Sequence, residues 1–390
     1  MSSHTNRLIK PIRKTRTNKM TGKKIRLLFF AVLLIAAGCK EQFNPPATTA
    51  SLNYLVVDGF INTGNTATNF KLSRTLNIKD TVLYKPESGA SIDVESDDGF
   101  ISYLKEDSVG SYSGGPYNFQ GNGQYRLHIR TSDGKEYLSD FVAVNISPAI
   151  DSVGWERNNN GVSIYLNTHG QINNSRYYHW RYTQTWKFHS AYESSLEYKD
   201  GYLILRRNPD SIYTCWHTEE SNTLLLSSSA ALSENVIYRQ PIISIPENSW
   251  QISDKYSILV KQEAIDEEAY NYMQILRKVT EQAGTIFDPQ PYTVNGNIHC
   301  INDHNQAAIG HIYATSVSEK RIFIDNSELP GWRYRSACDT FRARNATDFQ
   351  LAAAGYYVPL FDDGKGIMMT TGICGDCTQR GTHAKPDFWP

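Results

Sequence analysis

Residues 176–189 read RYYHWRYTQTWKFH, and this stretch decides the fold class of the chain. Large aromatic side chains recur at almost every second position, which is the period of a β-strand whose alternate side chains point to opposite faces. One face carries Tyr178, Trp180, Tyr182, Trp186 and Phe188. The opposite face carries His179, Arg181, Thr183, Thr185, Lys187 and His189. The pattern predicts a long strand with one aromatic and one polar face.

The aromatic face of this strand allows two interpretations. In the first, the aromatic side chains pack into the core, and the polar face meets solvent or a loop. In the second, the side chains form a ligand platform for a glycan or a peptide, because aromatic rings offer large, rigid contact areas. The residues of this expected platform are Tyr178, Trp180, Tyr182 and Trp186. Core packing is the commoner role of such a face.

The rest of the chain repeats the strand pattern. Asp-Gly steps recur at residues 58–59, 98–99, 133–134, 200–201 and 363–364. Short alternating runs joined by such steps are typical of hairpins, so the sequence predicts a mainly β protein. Residues 51–147 are expected to form an immunoglobulin-like or transthyretin-like sandwich, similar to carboxypeptidase-regulatory-like domains. Residues 148–390 are expected to form a larger β-rich domain.

One helix interrupts the strand pattern, over about residues 266–284. Asp266 is a suitable N-cap, and the two glutamates that follow suit the positive end of the helix dipole. Apolar positions recur at helical spacing from Ala269 to Leu276, and Gly284 is a natural stop. We expect this amphipathic helix to pack across the open face or the end of a sheet.

The N-terminus predicts export and lipidation. Basic residues precede an apolar run at 27–37 that is too short for a good transmembrane helix, so residues 1–38 are expected to be a signal peptide. The sequence AAGC at 36–39 resembles a bacterial lipobox, which implies lipidation of Cys39. Residues 39–50 are then a tether. Met20 begins a more ordinary signal peptide than Met1 does.

The charge balance excludes one class of function. Nine of the 39 Lys and Arg residues, and none of the 40 Asp and Glu residues, lie in residues 1–38. The remaining chain therefore carries a formal net charge of −10. A nucleic-acid-binding protein needs a basic surface, so no nucleic-acid partner is expected.

The sequence lacks the common catalytic and cofactor-binding motifs. The sequence contains no Gly-x-Ser-x-Gly elbow, no His-Glu-x-x-His and no P-loop. The best metal-binding group is His299, Cys300, His304 and His311. His299 and Cys300 would point to opposite faces of a strand, which is poor geometry for a single ion. No metal, no cofactor and no catalytic residue is therefore predicted, and the protein is not expected to be an enzyme.

Five cysteines remain besides Cys39. They are Cys215, Cys300, Cys338, Cys374 and Cys377. In an oxidising envelope these are disulfide candidates, and an odd number leaves at least one unpaired or paired elsewhere. The step CGDC at 374–377 also allows a redox site or half of a zinc site. No helical pattern follows it and no second Cys-x-x-Cys exists, so a structural staple of the tail is favoured, with Cys338 as one candidate partner.

The chain resembles a family of bacterial envelope lipoproteins, the domain of unknown function 4249 (DUF4249) family. The agreeing stretches, in chain order, are AAGC, LVVDGFI, FKLSRT, YYHWRYTQTWKFHS, CWHTEESN, ENVIYRQPIISIP, YSILVKQEAIDEEAYNYMQILRKVTEQAGTIFDPQP, NGNIHCIND, SVSEKRIFI and the tail CGDCTQRGTHAKPDFW. They run along essentially the whole exported chain. The resemblance implies a lipid-anchored protein of the outer membrane, on the cell surface or the periplasmic face, that works beside a TonB-dependent receptor.

Two functions follow as hypotheses. The first is a non-catalytic accessory or substrate-binding partner of a TonB-dependent outer-membrane transporter, with a glycan or a peptide as ligand. The second is an envelope hydrolase that acts on glycan or peptide with dispersed acidic residues. The lipobox, the missing catalytic motifs and the family resemblance favour the first.

Overall fold

The structure is a computed structural model that describes residues 53–76, 84–117, 119, 123–171, 174–281 and 296–390. Every described residue belongs to one compact unit, Leu52–Pro390. The signal peptide 1–38, the start at Met20, the lipidation of Cys39, the tether 39–50 and the helix stop at Gly284 all fall outside the described residues. They stay predictions.

The described residues are mainly β, as the sequence predicts. The first strands are β1 (Leu55–Asn62), β2 (Thr68–Arg74), β3 (Ser91–Ser96), β4 (Ile101–Ser108), β5 (Ser111–Gly114), β6 (Gln124–Arg130), β7 (Glu136–Ser139) and β8 (Val142–Asn145). The next are β9 (Ile150–Asn158), β10 (Gly161–His169), β11 (Tyr177–His189), β12 (Leu196–Lys199), β13 (Tyr202–Leu205), β14 (Thr214–Glu220), β15 (Leu225–Ser228), β16 (Val236–Pro246) and β17 (Lys255–Ile265). The last are β18 (Ile298–Cys300), β19 (Ala308–Ile309), β20 (Ala314–Thr315), β21 (Val317–Asp325), β22 (Thr340–Arg342), β23 (Tyr357–Asp362) and β24 (Ile367–Thr371).

Helices are few in the described ranges. The α-helices are α1 (Glu267–Glu281), α2 (Ala346–Ala353) and α3 (Gly372–Gly375). Short 3-10 helices occupy Pro209–Ile212, Trp250–Ile252, Asn326–Glu328 and Cys377–Gln379. None of the helices in this part of the chain has the length and the apolar character needed to cross a bilayer.

The N-terminal strands form a closed, barrel-like ring. Its order is β6-β3-β4-β5-β2-β1-β20-β8, and β8 pairs back onto β6, which closes the ring. Alternation along β2 shows why these residues form such strands. Phe70 and Leu72 are buried while Lys71 between them is exposed, so the sequence alternation separates core from solvent.

The immunoglobulin-like or transthyretin-like sandwich expected for residues 51–147 is not confirmed. Strand β20 pairs in parallel with both β1 and β8 and thereby joins strands that a sandwich would leave at open edges. Strands β18 and β19 also pair with β7 and β1. The ring therefore includes a strand at residues 314–315, and the sheet around it includes strands at 298–300 and 308–309, all far along the chain from residue 147. Local sequence patterns do not encode pairing at such a separation.

Strand β11 is the centre of the second sheet. Its order is β14-β11-β17-β21, and β15 pairs with the start of β11. A three-stranded sheet, β16-β10-β9, packs on it, because Val162 and Ile164 of β10 belong to one core cluster with Trp180 and Trp186 of β11. Burial of such large side chains is the main favourable term in the stability of this part.

Helix α1 begins where the sequence predicts. The side chain of Asp266 accepts a hydrogen bond from the backbone N–H of Ala269 at 2.7 Å, which caps the helix. Ala269, Tyr272 and Met273 are buried, and they pack in a small cluster that includes Tyr313. The helix is thereby held against the junction between the ring and the second sheet.

The C-terminal segment is attached to the second sheet. Strands β22, β24 and β23 form a small sheet of their own. Trp389 is buried, and its ring packs edge-on against Trp216 and Phe323 at centroid distances of 6.4 and 5.6 Å. The aromatic tail therefore anchors the chain end on the core of this part.

Candidate functional site

A cleft lies where the ring, the second sheet and helix α1 meet. We call it the junction cleft, and it has two lobes. The helix lobe, of 570 Å³, is lined by residues such as Met273 and Leu276 of α1, whereas the sheet lobe, of 250 Å³, is lined by residues such as Lys261 of β17. Both lobes share the wall residues Asp58, Gly59, Phe60, Lys71, Arg181, Glu220 and Ser221. A concave site that combines apolar and charged groups is typical of ligand binding.

A fully buried carboxylate, Glu263, organises the floor of this cleft. It lies directly opposite His179 in the register of β17 and β11, so the two side chains share a face. Nδ1 of His179 donates to Oε2 of Glu263 at 3.1 Å, and the hydroxyl of Tyr313 donates to the same oxygen at 2.7 Å. Nε of Arg181 donates to Oε1 at 3.0 Å, and Nη2 donates to it as well.

These contacts keep Glu263 ionised. Burial alone would raise the pKa of its carboxyl, but the hydrogen bond and charge of His179, the charge of Arg181 and the Tyr313 hydroxyl together lower that pKa to about 2. Burial also raises the pKa of Tyr313, which therefore stays a neutral donor. Burial lowers the pKa of Arg181, whereas the neighbouring carboxylate raises it, and the net shift is upward. The floor thus holds a fixed ion pair.

His179 contributes a second feature to the floor. Because an ionised carboxylate only accepts hydrogen bonds, the proton of the His179–Glu263 contact lies on Nδ1. The other ring nitrogen, Nε2, is buried and has no hydrogen-bond partner among the described residues. A buried polar atom without a partner costs free energy, so this atom is available to a polar group of a ligand at the floor of the helix lobe, which His179 lines.

Arg181 connects the floor to the open cleft. Its side chain is 45% exposed although it binds a fully buried carboxylate. Its guanidinium carbon lies 5.2 Å from the centre of the Phe60 ring, and that ring stacks on Tyr313 at 5.3 Å with planes 5° apart. The aromatic pair and the carboxylate together fix the guanidinium in place, so it is preorganised for a ligand.

The rim of the cleft carries charges of both signs. Asp58, Lys71 and Glu220 are exposed, and no ion pair or side-chain hydrogen bond involves any of them within the described residues. Asp58 and Lys71 stand opposite each other on β1 and β2. The rim therefore offers solvated charged groups for a ligand that carries both signs.

A family model matches residues 40–321 of this chain, under the description "Domain of unknown function (DUF4249)". The chain belongs to the DUF4249 family. No match is found among curated proteins. All residues that line the two lobes lie within the matched range. The tail from residue 322 onward lies beyond it, so the match is shorter than the resemblance drawn from the sequence.

The expected ligand platform on β11 is part of the core. Tyr178, Trp180 and Trp186 are 0% exposed and Tyr182 is 9% exposed, because the three-stranded sheet covers this face. A ligand therefore has no access to the rings of Tyr178, Trp180 and Trp186, and Tyr182 borders the sheet lobe with little exposed surface. Core packing, the alternative interpretation, describes these residues, and the binding groups lie on the polar face of the same strand.

The cysteines form two disulfides in the described chain. Cys215 is bonded to Cys377, and Cys338 is bonded to Cys374. Cys300 is free and buried. The two cysteines of the CGDC step thus bind different partners, one on β14 and one just before β22, instead of each other. This arrangement ties the tail to the second sheet at two points.

The histidines near Cys300 do not converge on one site. His299 is exposed and lies 3.4 Å from Asp140, whereas His311 stacks on Tyr272 at 5.3 Å in the wall of the helix lobe. Within the described ranges, one group of three side chains brings possible metal-ligand atoms within 4.8 Å of one another, and it lies elsewhere, on the ring. Its members are Asp93, Glu95 and His128.

Sequence reasoning missed the central residues of the site, Glu263 and Tyr313. One local signal pointed toward Glu263, because it is a charged residue among the buried residues of the strand end QEAI at 262–265. Tyr313 gave no local signal. It reaches the site only because the segment before β20 joins the ring.

Proposed function

We propose that this protein is a non-catalytic, ligand-binding envelope lipoprotein that serves as an accessory partner of a TonB-dependent outer-membrane transporter. The observation that carries the binding role is the junction cleft, with its preorganised Arg181–Glu263 pair and its unpaired rim charges. The lipobox and the family resemblance support the partner and the compartment. A surface-anchored protein with a preformed cleft would pass its ligand to a neighbouring transporter.

The cleft variant Leu276→Arg tests the binding role. Leu276 is half-buried and lines the helix lobe, so a charged side chain there would block the lobe without entering the main core. We expect the variant to fold, to reach the membrane and to fail to support ligand uptake in cells. Ile275→Arg, on the neighbouring position of α1, is the matched control because residue 275 does not line either lobe. Equal uptake by wild type and Leu276→Arg would reject the role of the cleft.

The variant Cys39→Ser tests the membrane anchor. Acyl chains on Cys39 would hold the protein firmly on a bilayer, since two or more chains bind far more strongly than one. We expect Cys39→Ser to appear in the soluble fraction or to stay unprocessed. Co-isolation of the wild type with an outer-membrane receptor in detergent tests the partner, and consistent isolation as a single protein would count against it.

An envelope hydrolase acting on glycan or peptide is the second candidate. One observation favours it, because the carboxylates of Asp58 and Glu220 line the same cleft and have no ion-pair partner among the described residues. Paired carboxylates across a cleft are the usual acid and base of glycoside hydrolysis. Hydrolysis of a glycan or peptide that is lost in both Asp58→Asn and Glu220→Gln would favour this function over the first.

A further inference from the structure

We infer that the junction cleft takes a short peptide with free termini and an apolar side chain, recognised by Arg181 and Lys71 at its carboxylate and by Asp58 and Glu220 at its ammonium group. The inference rests on the proposed binding function, and it names the class of ligand. It follows from the charges of the cleft, from its apolar wall and from the stacking of its aromatic rings on one another.

Arg181 and Lys71 are free to bind the carboxylate of a ligand. Nε and Nη2 of Arg181 donate hydrogen bonds to Glu263, and no acceptor for Nη1 lies among the described residues. Lys71, in the same wall, has no ion-pair partner there either. Because the guanidinium is already fixed, a ligand carboxylate can form a charge-assisted hydrogen bond to it with little ordering cost.

Two carboxylates in the cleft supply the opposite charge. Asp58 and Glu220 line the same lobes as Arg181 and Lys71. A simple anion would be repelled by the two carboxylates, and a simple cation would be repelled by the two basic groups. A zwitterion, which carries an ammonium group and a carboxylate, satisfies both pairs at once. A free peptide is such a ligand.

The aromatic and apolar walls of the cleft favour a peptide over a glycan. Sugars are bound on the open faces of aromatic rings, but the rings of this cleft stack in pairs. Phe60 stacks on Tyr313, and Tyr272 stacks on His311. The helix lobe instead offers Met273, Leu276 and Ile309, which suit an aliphatic side chain. Buried Nε2 of His179 adds an unpaired polar atom that a backbone N–H or C=O of a peptide at the floor would satisfy.

Isothermal titration calorimetry with four probes tests this inference on the exported protein. The probes are trileucine, trileucine C-terminal amide, N-acetyl-trileucine and maltotriose. We expect saturable binding of trileucine and roughly tenfold weaker binding of each capped form, since each cap removes the charge of one terminus. Lys71→Ala should weaken trileucine binding to a similar extent. Lys85 is an exposed lysine between β2 and β3 that lines neither lobe, so Lys85→Ala should not change the binding.

The outcomes separate this inference from the proposed function. Equal binding of free and capped trileucine would overturn recognition of the termini. Binding of maltotriose but not trileucine, lost in Leu276→Arg, would overturn the peptide class and keep the cleft as the binding site. If neither probe binds, the peptide inference is rejected, while dependence of uptake on Leu276 would still decide the proposed function independently.

Discussion

The two faces of strand β11 have different surroundings. The aromatic face, for which a binding platform was one interpretation, is covered by the sheet β16-β10-β9 and forms the core. The polar face, which was expected to meet solvent or a loop, carries His179 and Arg181 into the junction cleft. Side-chain chemistry distinguished the faces correctly. It did not determine which one a ligand can reach, because that depends on what packs on each.

The same comparison shows two ways of stabilising one strand. On the aromatic face, stability comes from apolar area removed from water, and it does not depend on pH in the acid range. On the polar face, it comes from an ion pair around Glu263 whose desolvation is offset by several hydrogen bonds. Mutations on the two faces should therefore differ in size and in pH dependence.

The largest effect is expected on the aromatic face. Trp186→Ala removes a fully buried ring that packs edge-on against Trp250 at 5.0 Å. We expect the free energy of unfolding to fall by about 4 kcal/mol, through lost burial and the cavity that remains. Urea unfolding measures the change. Tyr238→Ala removes an aromatic ring that is 77% exposed, and it should change stability little. Similar losses in both variants would contradict the assignment of the aromatic face to the core.

The next effect is expected on the polar face. Glu263→Gln removes the charge that holds Arg181 and His179 and leaves their donors poorly matched. We expect a loss of about 3 kcal/mol at pH 7, since breaking a buried pair from one side leaves an uncompensated charge. Urea unfolding again measures it. A loss below about 1 kcal/mol would show that the pair contributes little.

The pH dependence of stability distinguishes the two faces directly. The pKa of Glu263 falls from 4.5 to about 2 on folding, so its contribution is present above pH 4.5 and is lost as the pH falls toward 2. At pH 3 the wild type should have lost about 2 kcal/mol from this residue. Glu263→Gln should lack this component, whereas Trp186→Ala should keep it. Parallel pH profiles of wild type and Glu263→Gln would refute the ionised state of the carboxyl.

The smallest effect tests the polar face away from the cleft floor. Thr185 is fully buried, and its hydroxyl shares a hydrogen bond of 3.0 Å with that of Thr218. Thr185→Val keeps the shape of the side chain and removes the bond, so we expect a loss of about 1 kcal/mol. Thr183→Val, two residues earlier on the same face and only half-buried, is the control and should lose less. Equal losses would indicate that the strand position matters more than the bond.

Part of the site could be predicted from the sequence. His179 and Arg181 were placed on the polar face of a strand, and the register of β11 bears this out. Glu263 and Tyr313, which complete this group, could not be foreseen, because Glu263 lies 84 residues after His179 and 82 after Arg181, and Tyr313 lies further still. The disulfide pairing was open for the same reason. Each cysteine of CGDC binds a distant partner, and one of those partners, Cys215, is 162 residues away from Cys377.

The sequence by itself determined the mainly β class, the strand at 177–189, the start of the helix at Asp266 and the family of the chain. These features are local, because strand and helix periods and the capping of α1 depend on residues a few positions apart. Only the tertiary structure decided which face of β11 is buried, that residues 314–315 close the ring, and that a cleft forms around Arg181. Those features depend on pairing between distant segments, where the gain comes from burial and hydrogen bonds that no short stretch of sequence contains.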